Sequence, residues 1–279
     1  MAKAAAKVVK KVAAKPVAKP AAVRPVAKGS AKPIAKVLTK PAPKTAVKAV
    51  PRIAPKAVAK AKPEAVLTIS SKNYGAWALR GWLLAKLSGL EFTEKIVPPD
   101  DPDMKAEMLL LSPSMLVPSL MHNGIKVWDT LAIGEYLNEI KPKAGLLPAD
   151  AKARAHCRAI SGEMHSGFSA LRSALPMNIK GKFPNFKIWM RAQADIDHIV
   201  SIWKECLTTY GGPYLFGTAP CMADAMYAPV VTRFMTYDVK LDKASADYCK
   251  RIMALPAMVE WIAAATLEPE EIDELDAEF

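Results

Sequence analysis

Val117-Pro118-Ser119-Leu120-Met121-His122-Asn123-Gly124-Ile125-Lys126-Val127-Trp128-Asp129-Thr130 is the stretch whose reading decides the fold. Val117 to Met121 and Ile125 to Trp128 are short β-prone runs, and Asn123-Gly124 between them is a hairpin turn signal. A proline directly after a strand-like residue exposes a backbone edge with which an extended peptide can pair. Asp129-Thr130 opens an amphipathic stretch, and a hydroxyl beside free amides at a helix start suits a small carboxylate. Together the two dipeptides predict a site for a short peptide. Taken singly, Pro118 is a strand-start proline and Asp129 an N-cap.

The flanks complete a domain. Val66-Leu67-Thr68-Ile69-Ser70 reads as a strand, and Gly75 to Leu87 places Trp77, Leu79, Trp82, Leu83 and Leu87 at largely helical spacing. Phe92 to Val97 reads as a second strand, closed by Pro98-Pro99-Asp100-Asp101-Pro102, and a short helix is expected around Met104 to Leu110. Leu131, Ile133, Tyr136, Leu137 and Ile140 form a helical pattern that stops before Pro142. The order βαβ-α-ββα predicts a thioredoxin-like α/β domain over residues 64–142.

Residues 150–266 read as an all-α helical domain. Helices are expected over Ala153 to Leu175, Phe186 to Tyr210, Met222 to Thr236, Ala246 to Ala254 and Ala257 to Ala265, punctuated by Pro176, Gly211-Gly212-Pro213, Pro220 and Pro256. Cys221-Met222-Ala223-Asp224 occupies a capping-box position, which makes Asp224 a folding residue.

Charge is concentrated at the ends. Residues 1–63 hold 17 of the 39 Lys and Arg, none of the 27 acids and no aromatic residue. This Lys/Ala/Pro-rich composition predicts a disordered basic tail similar to linker-histone tails, suited to nonspecific DNA or RNA contact, or else a solubilising extension. Residues 267–279 hold seven acids and read as an acidic tail. Cys157, Cys206, Cys221 and Cys249 lack CxxC spacing, and no apolar run approaches the roughly 20 residues that span a bilayer. The expected location is cytoplasmic, with nucleoid association if the tail binds DNA, and no membrane contact. Zinc-type Cys/His spacing, a Gly-rich phosphate loop and a hydrolase elbow are missing, so no metal is expected.

Residues 66–266 resemble the glutathione transferase superfamily, particularly its bacterial cytosolic, serine- or zeta-like members. The resemblance is carried by Asn73-Tyr74-Gly75-Ala76-Trp77, Arg80-Gly81-Trp82-Leu83, Ser112-Pro113 to Val117-Pro118 and Val127-Trp128-Asp129-Thr130-Leu131-Ala132-Ile133. In the helical half it continues through Glu163-Met164-His165-Ser166-Gly167-Phe168, Ala223-Asp224-Ala225 and Ala228-Pro229. It implies the two-domain transferase fold, a homodimer, glutathione as co-substrate, and transfer of its thiolate to a small hydrophobic electrophile or a glutathione-dependent isomerisation. Pro118 would be cis, Val117 would pair with the cysteinyl part of glutathione, and Asp129 and Thr130 would hold the γ-glutamyl ammonium and carboxylate.

The chain departs from the pattern in two places. Gly75 and Ala76 stand where a thiol-activating serine is expected, and Leu116 replaces a polar residue for the glycyl carboxylate. The nearby donors are Ser70, Ser71, Asn73 and Tyr74; Tyr74 is placed ahead of Ser71 because it sits closest to the helix start. His165, Phe168 and Arg172, on one long helix, would line the electrophile pocket, although spacing alone makes Phe168 core and a lone His165 a packed residue. The competing reading is a non-catalytic relative whose basic tail binds nucleic acid. A cysteine-dependent reductase is disfavoured, since every cysteine lies at or beyond Cys157.

Overall fold

Alternation in Ala65-Val66-Leu67-Thr68-Ile69 buries Ala65, Leu67 and Ile69 on one face of β1 (Ala65–Ile69). This computed structural model describes residues 65–97 and 117–269. The basic tail, the helix expected around Met104 to Leu110, Leu116 and residues 270–279 lie outside the described residues. The described residues belong to one compact unit, Ala59–Phe279.

The sheet has the order β2-β1-β3-β4. β2 (Thr93–Ile96) runs parallel to β1, while β3 (Ser119–His122) and β4 (Ile125–Val127) follow as an antiparallel hairpin through Asn123-Gly124. Gly124 has φ +78° and Asn123 φ +50°, the left-handed backbone that this dipeptide tolerates. α1 (Ala76–Ser88) joins β1 to β2 and α2 (Thr130–Ile140) follows β4.

α1 is buried on nearly every side because it lies between the sheet and the helical half. Leu79 and Leu84 have no exposed surface, each contributing about 2 kcal/mol by burial. Trp82 meets Trp261 at 5.2 Å between ring centroids and donates its indole N–H to Glu94 at 2.6 Å.

The helical half comprises α3 (Ala151–Ser166), α4 (Ser169–Ala174), α5 (Met190–Tyr210), α6 (Met222–Thr236), α7 (Lys243–Met253) and α8 (Pro256–Thr266). The thioredoxin-like and helical halves are those expected, but two expected helices change. The helix expected over Ala153 to Leu175 is broken: Gly167 leaves α3 with extended backbone and Phe168 adopts φ +60° before α4 begins. The helix expected from Phe186 starts at Met190, since Phe183 and Phe186 pack on Tyr237, with ring centroids 5.2 and 4.9 Å away.

α6 is the central helix. Asp224, 1% exposed, accepts from Cys221 N–H at 2.9 Å, Leu215 N–H at 3.1 Å and Tyr248 O–H at 3.0 Å. Burial raises its pKa and these bonds oppose the rise, which is the folding role expected of it. All four cysteines are free and buried. Among the described residues no helix is long and apolar enough to cross a membrane, and no group of three His, Cys, Asp or Glu is placed to hold a metal ion.

Candidate active site

The loop from β1 to α1 is held by its own backbone and by a distant carboxylate. Ser71 Oγ accepts Asn73 N–H at 3.0 Å and Tyr74 N–H at 3.2 Å, while its own proton goes to Glu268 Oε2 at 2.6 Å. Lys72 N–H and Asn73 N–H also donate to Glu268, at 2.6 and 3.1 Å. Tyr74 is 5% exposed and packs at the helix start. A Cβ on Gly75 would lie 2.3 Å from the Ser71 carbonyl oxygen and 2.5 Å from Ser70 Oγ. Glycine is therefore demanded by a fold-back of the loop, and a serine has no space there.

Pro118 lies directly against α1, the Val117–Pro118 peptide being cis, as the resemblance implied. A Cβ on Gly81 would sit 2.6 Å from Pro118 Cγ, so glycine permits this approach. Val117 is 5% exposed.

Asp129 caps α2, its Oδ1 accepting Leu131 N–H at 2.9 Å and Ala132 N–H at 3.2 Å. Its second oxygen lies 3.2 Å from His165 Nε2 at the end of α3. Thr130 is fully buried, and its Oγ1 has no hydrogen-bond partner. A buried hydroxyl without a partner costs about 1–3 kcal/mol, which sets Thr130 apart from the other residues of this helix start.

Burial holds His165 below its ordinary pKa; the Asp129 carboxylate pulls the other way, and Arg80 and Arg172 add to the lowering. Nε2 faces the Asp129 carboxylate across 3.2 Å, and the lowered pKa favours the neutral ring there. Nδ1 of His165 is buried and without a partner. The ring meets Trp77 edge-on at 4.9 Å, and the Arg80 and Arg172 guanidinia lie over Trp77 at 4.6 and 4.8 Å.

Of the expected pocket residues, His165 and Arg172 both reach this cluster, Arg172 while also serving the fold, and Phe168 packs on another side. Phe168 is 8% exposed and packs 5.7 Å from His198. Arg172 donates to the carbonyls of Met164, Gly167 and His165, closing the end of α3, and burial pushes its pKa down to about 10. The shared long helix that would have presented all three does not form. Trp77, Arg80 and Glu268 were not singled out beforehand. The i,i+3 spacing of Trp77 and Arg80 on α1 is a signal for the first two, whereas nothing local points to Glu268.

Comparison with known proteins identifies the family. Residues 74–140 match the family model described as Glutathione S-transferase, N-terminal domain. A glutathione S-transferase of Dianthus caryophyllus is 30% identical over 163 residues, covering 58% of this chain and 73% of that protein. The chain belongs to the glutathione S-transferase family. A maleylacetoacetate isomerase of Rattus norvegicus is 34% identical over 135 residues, 48% of this chain; the match spans only 61% of the rat protein. A solved glutathione transferase homolog from a Burkholderia, with bound glutathione, superposes with TM-score 0.55 at 23% identity, covering 73% of this chain and 98% of that one. At that identity it shows the shared fold.

Proposed function

We propose that this protein is a glutathione S-transferase that transfers the glutathione thiolate to a small hydrophobic electrophile or uses glutathione in an isomerisation. The observation that carries this reading is Thr130: a buried, unpartnered hydroxyl at the amino end of α2, beside the Asp129 cap. The Thr130 hydroxyl at the positive end of α2 would hold the γ-glutamyl carboxylate, the Leu131 and Ala132 amides being taken by the Asp129 cap, and Asp129 would face the ligand's ammonium. Val117, before cis-Pro118, would pair with the cysteinyl backbone. Tyr74 stands ahead of Ser71 as thiol donor, since the Ser71 proton is already given to Glu268. His165, with Phe168 and Arg172 behind it, would border the electrophile. The rat relative's name, maleylacetoacetate isomerase, favours the isomerisation branch. A homodimer fits the exposed apolar Met121, Ile125 and Trp128 along the β3–β4 hairpin.

The test is retention of the full chain on immobilised glutathione and turnover of a generic aryl halide or a cis-enone acid. Neither retention nor turnover at millimolar glutathione would sink the reading. For residues 1–63 the proposal is nonspecific DNA or RNA contact, resting on 17 basic residues without acids. Binding that weakens steeply with salt supports it, and salt-independent binding does not.

A further inference from the structure

The Glu268 carboxylate takes three donors at once: Ser71 O–H at 2.6 Å, Lys72 N–H at 2.6 Å and Asn73 N–H at 3.1 Å. Lys180 Nζ donates to the Glu268 carbonyl at 3.2 Å, and Trp261 on α8 donates its indole N–H to the Lys72 carbonyl at 2.9 Å. The segment after α8 is thereby strapped across the β1–α1 loop, joining residues 195 to 197 positions apart. A cavity of about 240 Å³ lined by Ser71, Ile96, Val97, Ala264 and Leu267 lies beside the strap, leaving space for the Glu268 side chain to move.

A hydroxyl has one proton to give. Ser71 gives it to Glu268, and its oxygen is filled by the Asn73 and Tyr74 amides. Gly75 has no space for a serine, so Ser71 is a loop hydroxyl whose donor direction is set from the far end of the chain. We propose that Glu268 is an autoinhibitory latch that withholds the Ser71 hydroxyl from bound glutathione thiolate, and that release of residues 267–269 from the β1–α1 loop turns Ser71 into a thiolate donor. The inference rests on the glutathione reading above. Two effects act in the same direction on release. The freed O–H bonds to sulfur once the thiol proton has left for solvent, and a negative charge beside a second anion is removed. Of the other charges at the loop, Lys180 donates to the Glu268 carbonyl and Lys72 is paired with Glu94 at 2.6 Å.

The experiment is a pH titration of the full chain with glutathione bound, following thiolate ultraviolet absorbance in wild type, Glu268→Ala, Glu268→Gln and Glu268→Ala/Ser71→Ala. Glutamine keeps an oxygen for the Lys72 amide but no longer needs the Ser71 proton, so it serves if alanine loosens the fold. Each single variant is expected to lower the thiol pKa by about one unit, roughly tenfold more thiolate below the midpoint, and the added Ser71→Ala to cancel that gain. An unchanged thiol pKa on losing Glu268, or a gain that persists without Ser71, overturns the latch. Hydrogen exchange reads the strap directly: Lys72 and Asn73 amides should exchange faster in Glu268→Ala, and unchanged exchange also overturns it. Absence of glutathione binding in every protein overturns the functional reading and the latch with it. Binding without a latch effect overturns the latch alone.

Discussion

His165 Nε2 and Asp129 Oδ2 lie 3.2 Å apart, tying the end of α3 in the helical half to the cap of α2 in the sheet domain. The same Asp129 side chain caps α2 through its other oxygen, so one carboxylate orients both the helix start and the histidine. Neighbouring Thr130 has its hydroxyl left over.

That leftover hydroxyl separates binding from stability. Thr130→Val keeps the shape and removes a buried group that bonds to nothing, so thermal stability is expected to hold or rise. Glutathione affinity should fall about 10- to 100-fold, the loss of one hydrogen bond to a charged carboxylate. Calorimetry with glutathione and a melting curve on the same variant check both halves. An unchanged affinity would remove Thr130 from the site.

The histidine makes stability depend on pH. The folded state lowers the His165 pKa, so the unfolded chain binds the proton more readily. The contribution of neutral His165 is thus fully present above its ordinary value of about 6.5 and is lost progressively as pH falls from there through the lowered folded value. Urea midpoints taken from neutral to mildly acidic pH should fall further for wild type than for His165→Gln. Parallel curves would place the titrating group elsewhere.

Arg172 is predicted to act on the fold. Its guanidinium satisfies the Met164, His165 and Gly167 carbonyls where α3 breaks. Arg172→Met should cost about 3 kcal/mol by leaving buried acceptors unpaired. Arg172→Lys should recover only part of this, because an ammonium lacks the fork that reaches three carbonyls. Denaturant unfolding of both variants measures it.

Restoring a serine at the helix start is expected to fail. A Gly75→Ser side chain begins 2.3 Å from the Ser71 carbonyl oxygen, so the loop must shift at a cost of about 1–3 kcal/mol. The variant should melt earlier and conjugate no faster than wild type. Faster turnover with an unshifted melting point would show that the loop yields readily.

Much of this architecture was legible before any coordinates. The first strand, the Asn123-Gly124 turn, the Asp129 cap and the Asp224 capping position are local devices, each set by residues within a few positions, and each formed within a residue of where it was expected. The break at Gly167-Phe168 was not legible, since helical spacing runs through it unbroken. Arg172 fits only when its guanidinium folds back on α3, a packing choice that no period records.

The sequence by itself determined the order of the described strands, the helices that flank them, the family resemblance and the position of the Asp129-Thr130 helix start, because periodicity, turn chemistry and caps act over short range. Only the tertiary structure decided that Ser71 gives its proton to Glu268, that Gly75 excludes a serine and that His165 stands on Asp129 while Arg172 serves the backbone. Those outcomes depend on side chains far apart in the chain meeting in a close-packed interior. There burial and the satisfaction of polar groups choose partners that no local pattern names.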